Sequence, residues 1–154
     1  IFFRAMTALT ELLGEQLLKA RTHKPLVHHI TNFVVMELTA NVTLYVGGSP
    51  IMAHAEQEVE DVTGMASCLN LNMGTPDPAR VRSMVLAGRR ANTSGIPVVL
   101  DPVGYGATPF RVQIAAELMG QVSLTVIRGN AGEVARMANA GGQMHGVDSV
   151  AGPA

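Results

Sequence analysis

Apolar residues recur along the chain at two different spacings, and the alternation between them predicts a series of helices and short strands. Near the N-terminus, four leucines and Ala20 fall at helical spacing, and the run ends before Pro25. Further helical patterns lie at 33–46, 59–68, 109–119 and 132–139, and one more runs from Pro78 toward Gly95. Glycine pairs or prolines bound several of these segments, as expected at helix ends.

Five short and mostly apolar runs lie between the predicted helices. We interpret them as strands at 26–30, 49–53, 69–72, 96–100 and 124–127. Strands that alternate with helices are typical of βαβ units, whose right-handed crossovers build a parallel sheet with helices on both faces. The predicted fold class is therefore α/β, with residues 1–154 belonging to a single domain.

Ligands in such folds bind beyond the carboxyl ends of the strands, so the residues at those ends are the candidates for function. Small and polar residues are frequent there, and many of them let a ligand approach the backbone closely. The segments are Thr31-Asn32, Met52-Ala53-His54, Asn72-Met73-Gly74-Thr75, the stretch 101–108, and Arg128-Gly129-Asn130.

Asp101 is the most distinctive of these residues, because a carboxylate at the end of an apolar strand needs a partner. It could hold Mg²⁺ beside a phosphate, or it could be a turn residue that bonds the following backbone. Arg128 could bind phosphate with its planar guanidinium, or form an ion pair with Asp101 or Glu133. Asn130 and Glu133 have the spacing of a capping box, which is itself a structural explanation for both.

The loop 104–108 contains two glycines and leads into a predicted helix at Pro109. Such a loop can bind an anion at the helix N-terminus, or it can be an ordinary turn capped by Thr108. It matches neither of the two common glycine-rich phosphate motifs.

Composition and charge narrow the range of functions. Only 15% of the residues are charged, 47% are hydrophobic and the formal net charge is -1. We therefore expect a folded core and no nucleic-acid partner, and the apolar runs are too short for a membrane span. The one cysteine, Cys68, is interpreted as a buried thiol in a helix, which suits a reducing, cytoplasmic compartment. His28 and His29 should point to opposite faces of a strand, which argues against a shared zinc ion.

Six motifs in one register resemble those of the hydroxyethylthiazole kinase family, from about Leu12 to Val150. They are residues 25–32 (PLVHHITN), 39–41 (TAN), 48–53 (GSPIMA), 72–75 (NMGT), 97–111 (PVVLDPVGYGATPFR) and 127–133 (IRGNAGE), followed by 146–149 (GVDS). This resemblance implies a ribokinase-like fold. It also implies transfer of the γ-phosphoryl group of ATP to the hydroxyl of 4-methyl-5-(2-hydroxyethyl)thiazole, in thiamine salvage.

The resemblance also assigns roles to individual residues. Substrate binding would fall to three of them, Asn32, Met52 and Gly74. Arg128 would contact the phosphates of ATP with Asn130 beside it, while Asp101 and Glu133 would hold Mg²⁺ and its waters. The family is usually a trimer with the thiazole site between subunits, so Met52 would serve a neighbouring subunit.

The sequence departs from the family pattern at His29, Tyr105 and Gly132, and the bulk of Tyr105 falls in the glycine loop. The glycine-rich turn that forms the family's anion hole has no match here, so we expect the chain to be an N-terminal portion, incomplete at the C-terminus. The catalytic group would then lie beyond Ala154. Two other interpretations remain open: a non-catalytic fragment that binds thiazole or assembles with other chains, and a different ribokinase-like kinase.

Overall fold

The computed structural model describes residues 2–138, 143–145 and 148–150, with side chains described for 9–138. The helices are α1 (Phe2–His23), α2 (Met36–Val46), α3 (Val59–Met65), α4 (Pro78–Thr93), α5 (Pro109–Gln121) and α6 (Ala131–Met137). The strands are β1 (Leu26–Ile30), β2 (Ser49–Ile51), β3 (Cys68–Asn72), β4 (Val98–Asp101), β5 (Val126–Ile127), β6 (Gln143–His145) and β7 (Asp148–Val150).

The first five strands form one sheet in the order β2-β1-β3-β4-β5, and every neighbouring pair is parallel. β4 lies between β3 and β5, which confirms the prediction of an internal parallel strand there. β6 and β7 form a separate antiparallel pair. Because all five strands run in one direction, the segments that follow them meet at a single edge of the sheet.

Helices cover the sheet on two sides, and His28 and His29 identify the two faces. The buried ring of His28 bonds the Thr63 hydroxyl of α3, whereas the ring of His29 bonds the Thr43 hydroxyl of α2. The prediction that these histidines point to opposite faces is confirmed. The principal apolar core lies on the His28 side, where alternate residues of β3 and β4 pack against α4 and α5 (Leu69, Leu71, Val98, Leu100, Met84, Ile114 and Leu118).

The interpretation of Cys68 as a helical residue is wrong. The helix α3 ends at Met65, because Ala66 adopts an extended conformation, and Cys68 begins β3. Its apolar spacing from Val59 and Val62 continued the helical pattern only by coincidence. The thiol is half-buried, and burial raises its pKa above the ordinary value of 9.0.

Several element boundaries also differ from the predicted ones. β2 ends at Ile51, earlier than the pattern indicated. α2 begins at Met36, later than the pattern indicated. β4 begins at Val98, directly after Pro97, which has no N–H to donate to a neighbouring strand. Asn139 and the Gly146-Val147 part of the last motif lie outside the described residues. Within the described part of the chain, no helix has both the length and the apolar character needed to cross a bilayer.

Candidate active site

A row of hydrogen-bonded side chains crosses four adjacent strands at the carboxyl edge of the sheet. Asn32, just after β1, donates from Nδ2 to Oδ1 of Asn72, the last residue of β3, at 2.7 Å. The Nδ2 of Asn72 donates to Oδ2 of Asp101 at the end of β4, at 3.0 Å. Arg128, just after β5, donates from Nη1 to the same carboxylate oxygen at 2.9 Å. We refer to these four residues as the strand-end row.

The row changes from buried to exposed along its length. Asn32 and Asn72 are buried, whereas the side chain of Arg128 is 76% exposed. Burial raises the pKa of the Asp101 carboxyl above its ordinary value of 3.8, and the Arg128 guanidinium opposes that shift. The row therefore ends in a carboxylate and a cation that face the solvent-accessible side of the sheet edge, as a site for a charged ligand requires.

Local backbone contacts fix Asn32 at its end of the row. Its Oδ1 accepts hydrogen bonds from the backbone N–H groups of Val34 and Val35, at 2.9 and 3.1 Å. The buried Arg80 of α4 donates to the carbonyl of Thr31 and lies 4.0 Å above the ring of Phe33. This turn delays the start of α2 to Met36, and it explains why the helical pattern from Phe33 overestimated the helix.

Gly74 lies directly against the Asn32 side chain. A Cβ atom at position 74 would be 2.6 Å from the Asn32 Nδ2 atom. Only glycine therefore lets the segment after β3 approach the Asn32 amide so closely. Both residues line a cavity of about 240 Å³ together with Val34, Val35, Thr75, Val103 and Arg111.

Glu133 connects two loops that are distant in sequence. It is 3% exposed, and its Oε1 accepts from the backbone N–H of Gly104 at 2.7 Å. Its Oε2 accepts from the backbone N–H of Asn130, while Asn130 caps the Glu133 N–H in return. The capping box predicted from the sequence is confirmed, and the bond to Gly104 adds a long-range contact that the spacing could not indicate.

Two arginine side chains hold the glycine loop. Arg111 donates to the carbonyl oxygens of Met73 and Val103, at 3.1 and 2.6 Å, and Arg136 donates to the carbonyl of Gly106 at 3.1 Å. The Tyr105 side chain is partly buried and packs against the hydrophobic core. Thr108 caps α5 by accepting from the Arg111 N–H, as predicted.

A second cavity, of about 240 Å³, is lined by the residues that were predicted to contact phosphate or Mg²⁺. Asp101, Arg128, Asn130 and Glu133 all line it, with Val103 and Gly129. A larger cleft of about 550 Å³ opens between α2 and the sheet, and it also reaches Asp101 and Arg128. Val103 lines all three of these spaces, so they adjoin one another at Val103.

Met52 lies apart from the other predicted substrate residues. It follows the edge strand β2, is half-buried and is not among the residues that line these three cavities. Asn72 and Arg111, in contrast, are central to the site although sequence reasoning gave them no individual role. The position of Asn72 at a strand end, like that of Asp101, was the signal available for it.

Comparison with known proteins assigns the chain to a family. The chain matches the Hydroxyethylthiazole kinase family over residues 17–154. The chain belongs to the hydroxyethylthiazole kinase family. It is 57% identical over 138 residues to the hydroxyethylthiazole kinase of Desulforudis audaxviator, covering 90% of this chain and 50% of that protein. It is 49% identical over 148 residues to that of Roseiflexus castenholzii, covering 96% of this chain and 55% of the relative.

The fold supports the same assignment. The hydroxyethylthiazole kinase structure from Pyrococcus horikoshii OT3 superposes with a TM-score of 0.78 and 47% sequence identity, covering 82% of this chain and 49% of that one. The predicted fold class, an α/β ribokinase-like parallel sheet with helices on both faces, is thereby confirmed. The chain spans about half the length of the curated relatives that it matches.

Proposed function

We propose that the full-length protein transfers the γ-phosphoryl group of ATP to the hydroxyl of 4-methyl-5-(2-hydroxyethyl)thiazole, in thiamine salvage. Membership of the kinase family supports ATP as the phosphoryl donor. The observation that carries the proposal is the strand-end row, in which the polar contacts of Asn32 and Asn72 lead directly to Asp101 and Arg128. Substrate and nucleotide would then occupy adjoining spaces at one edge of the sheet.

The phosphate side of the site would bind ATP through Arg128 and Asn130. The Arg128 guanidinium is exposed and held in place by Asp101, so it can turn its remaining N–H groups toward phosphate oxygens. Asn130 stands at the N-terminus of α6, where backbone N–H groups favour an anion. Phosphoryl transfer depends mainly on such positioning and charge stabilisation.

Asp101 and Glu133 have the chemistry that Mg²⁺ requires, since both supply carboxylate oxygens to one cavity. Among the described residues, the hydrogen bonds to the Asp101 side chain go to Oδ2, which leaves Oδ1 for a cation or its water. The Glu133 oxygens each accept one backbone N–H, so each keeps a further lone pair. A bound Mg²⁺ ion would neutralise part of the phosphate charge.

On the thiazole side, Asn32 and Gly74 would form one wall of the substrate site and Met52 another. The thioether of methionine suits an aromatic ring. Because Met52 follows the edge strand and lies outside the cavities that the other residues line, we assign it to the site of a neighbouring subunit in a homotrimer. Apolar side chains that α1 and α2 expose, among them Leu12, Leu38 and Tyr45, supply surface for such assembly.

The catalytic group is proposed to lie beyond Ala154, in the half of the family's length that this chain does not span. A cytoplasmic location is part of the same proposal, supported by the single free thiol of Cys68. Roles for the described residues are then limited to binding, orientation and charge.

The test is thiazole-dependent consumption of ATP, measured with and without Mg²⁺, by the full-length protein and by a chain that ends at Ala154. We expect turnover by the full-length protein only, because removing even one donor to a developing charge commonly lowers a rate by about 10²–10³. A full-length protein that consumes ATP equally well without the thiazole would refute the substrate assignment. Equal turnover by the short chain would refute the location of the catalytic group.

A further inference from the structure

The segment that follows β2 is held by side chains rather than by strand pairing. Among the described strands, β2 lies at the edge of the sheet and pairs with β1 alone, and the last paired residues are His28 and Ile51. Met52 is the first residue beyond this pairing, and the next segment with regular structure is α3. The position of the Met52 side chain therefore depends on contacts made by the residues beside it.

His28 supplies the first of these contacts from inside the protein. The residue is 0% exposed, and its Nε2 lies 2.8 Å from the carbonyl oxygen of Ala53. A carbonyl oxygen can only accept, so Nε2 carries the proton and donates it to this bond. The backbone of His28 also pairs with Ile51. His28 therefore contacts the residue before Met52 through its backbone and the residue after Met52 through its side chain.

Thr63 of α3 holds the other ring nitrogen of His28. The Thr63 hydroxyl lies 2.9 Å from Nδ1, and the residue is 0% exposed. Because Nε2 is the donor, Nδ1 of the neutral ring must accept from the hydroxyl. Burial lowers the pKa of His28 below its ordinary value of 6.5, which keeps the ring neutral. The Ala53 carbonyl sets the tautomer, and Thr63 holds the ring in the orientation that reaches Ala53.

A second hydroxyl holds the next carbonyl in the segment. The buried Ser83 of α4 donates to the carbonyl oxygen of His54 at 2.7 Å. Ala53 itself is only 4% exposed. Two consecutive carbonyls after Met52 are therefore bonded to residues of β1 and α4, and the backbone of this edge segment has little freedom.

We propose that His28, with its ring oriented by Thr63, is a positioning residue that sets the place of the Met52 thioether in the thiazole site. The proposal rests on the proposed function, because it takes Met52 as a substrate contact. Both ring nitrogens of His28 are occupied by protein groups, so the residue acts through Ala53 and not on the substrate. Its effect should therefore fall on thiazole binding and not on phosphoryl transfer.

The kinetic test compares two substitutions at Thr63 in the full-length protein. Thr63→Val keeps the side-chain shape but removes the hydroxyl, and Thr63→Ser keeps the hydroxyl. We expect Thr63→Val to raise the KM for thiazole by roughly fivefold to tenfold, with kcat and the KM for ATP changed by less than about twofold. Thr63→Ser should restore a nearly normal KM. An unchanged thiazole KM in folded Thr63→Val would overturn the proposal.

A core substitution serves as the control for a general loss of stability. Val122, which follows α5, is 4% exposed and belongs to the apolar core rather than to the Met52 segment. Val122→Ala should lower the melting temperature but leave the thiazole KM at the wild-type value. If it raised the thiazole KM as much as Thr63→Val does, the effect would be one of stability, and the positioning role would be rejected.

A spectroscopic measurement separates this proposal from the proposed function. In full-length protein labelled with ¹³C-methyl methionine and free of ligands, Met52→Ala identifies the Met52 methyl resonance by its loss. We expect that resonance to shift or broaden in Thr63→Val and to be retained in Thr63→Ser. An unchanged resonance in Thr63→Val would refute the positioning role. Absence of thiazole phosphorylation by the wild-type protein would refute the proposed kinase function. The Met52 methyl resonance would still show whether His28 and Thr63 position Met52.

Discussion

Asn72 donates from its side-chain Nδ2 to the Asp101 Oδ2 atom across a distance of 3.0 Å. An ionised carboxylate has no proton to give, so it dictates which end of the Asn72 amide faces it. The Asn72 Oδ1 atom must then point the other way, where it accepts from Asn32 and from the backbone N–H of Gly74. The charge on Asp101 therefore orients groups on the thiazole side of the proposed site.

This arrangement predicts that the two asparagines are energetically coupled. Each of Asn32→Ala and Asn72→Ala should lower the free energy of unfolding by about 1–3 kcal/mol, because each leaves a buried polar partner unsatisfied. The double variant should lose less than the sum of the two, since the shared bond can be lost only once. Urea unfolding measures all three values.

A matched substitution provides the control for the asparagine pair. The exposed Asn92 also bonds its surroundings, through the backbone of Ser123, but water can replace those bonds. Asn92→Ala should therefore cost less than Asn72→Ala. Strict additivity of the Asn32 and Asn72 effects would show that the row is not a coupled unit.

For Arg128, we expect an effect on activity without a large effect on stability. Its ion pair with Asp101 is too exposed to contribute much to folding. In the full-length protein, Arg128→Lys keeps the charge but loses the planar fork, and kcat/KM for ATP should fall by roughly tenfold or more, about 1.4 kcal/mol. Arg89→Lys, at an exposed arginine that bonds Gln121, is the control and should leave the kinetics unchanged. Wild-type kinetics in Arg128→Lys would remove Arg128 from the site.

Glu133→Gln tests the link between the glycine loop and α6. The carboxylate accepts an N–H at each oxygen, but an amide has a single oxygen, so its NH₂ group would face a backbone donor. The free energy of unfolding should fall by about 1–3 kcal/mol, and calorimetry of the full-length protein should find weaker Mg²⁺ binding. Asn130→Ser, which keeps a capping oxygen, should remain close to wild type in stability. Equal stability of Glu133→Gln and wild type would contradict the double contact.

The buried ring of His29 predicts a loss of stability in acid. Burial, with a smaller contribution from His28, lowers the pKa of His29 from 6.5 to about 4. Between these values the unfolded state binds a proton that the folded state does not, so stability falls as the pH drops from 6.5 toward 4. The loss of folding free energy due to His29 across this pH interval is on the order of 3 kcal/mol.

His29→Asn removes this titration and should flatten the pH dependence of unfolding across that interval. Burial also lowers the pKa of His28 and His54, so the variant should keep part of the slope. His23→Asn, at the exposed end of α1, is the control and should follow the wild-type curve. Parallel curves for His29→Asn and wild type between pH 4 and 6.5 would show that the His29 ring does not carry the effect.

The hydrophobic pattern was sufficient to predict the five-stranded sheet, because its strands are short and separated by polar or glycine-containing turns. The prediction for β1 at Leu26–Ile30 is correct at both ends. The pattern was less accurate where side chains interrupt it. Asn32 captures the N–H groups of Val34 and Val35, so the apolar residues after it form a turn before α2 begins.

The candidate site was predictable in its location but not in its connections. The rule that ligands bind at strand ends selected Asp101 and Arg128, and one of the alternatives for Arg128, an ion pair with Asp101, is present. The Glu133–Gly104 contact joins residues 29 positions apart. Nothing in local spacing records such a contact, because it depends on how two loops meet after the sheet has formed.

The glycine loop also determines which positions would tolerate variation in a mutant library. Gly104 and Gly106 have φ angles of 72° and 84°, and the side chains of Arg111 and Arg136 occupy the space that a Cβ would need. Tyr105, between them, packs against the core. A library randomised at 104–106 and selected for folding should therefore retain glycine at the outer two positions and recover a range of apolar residues at the middle one.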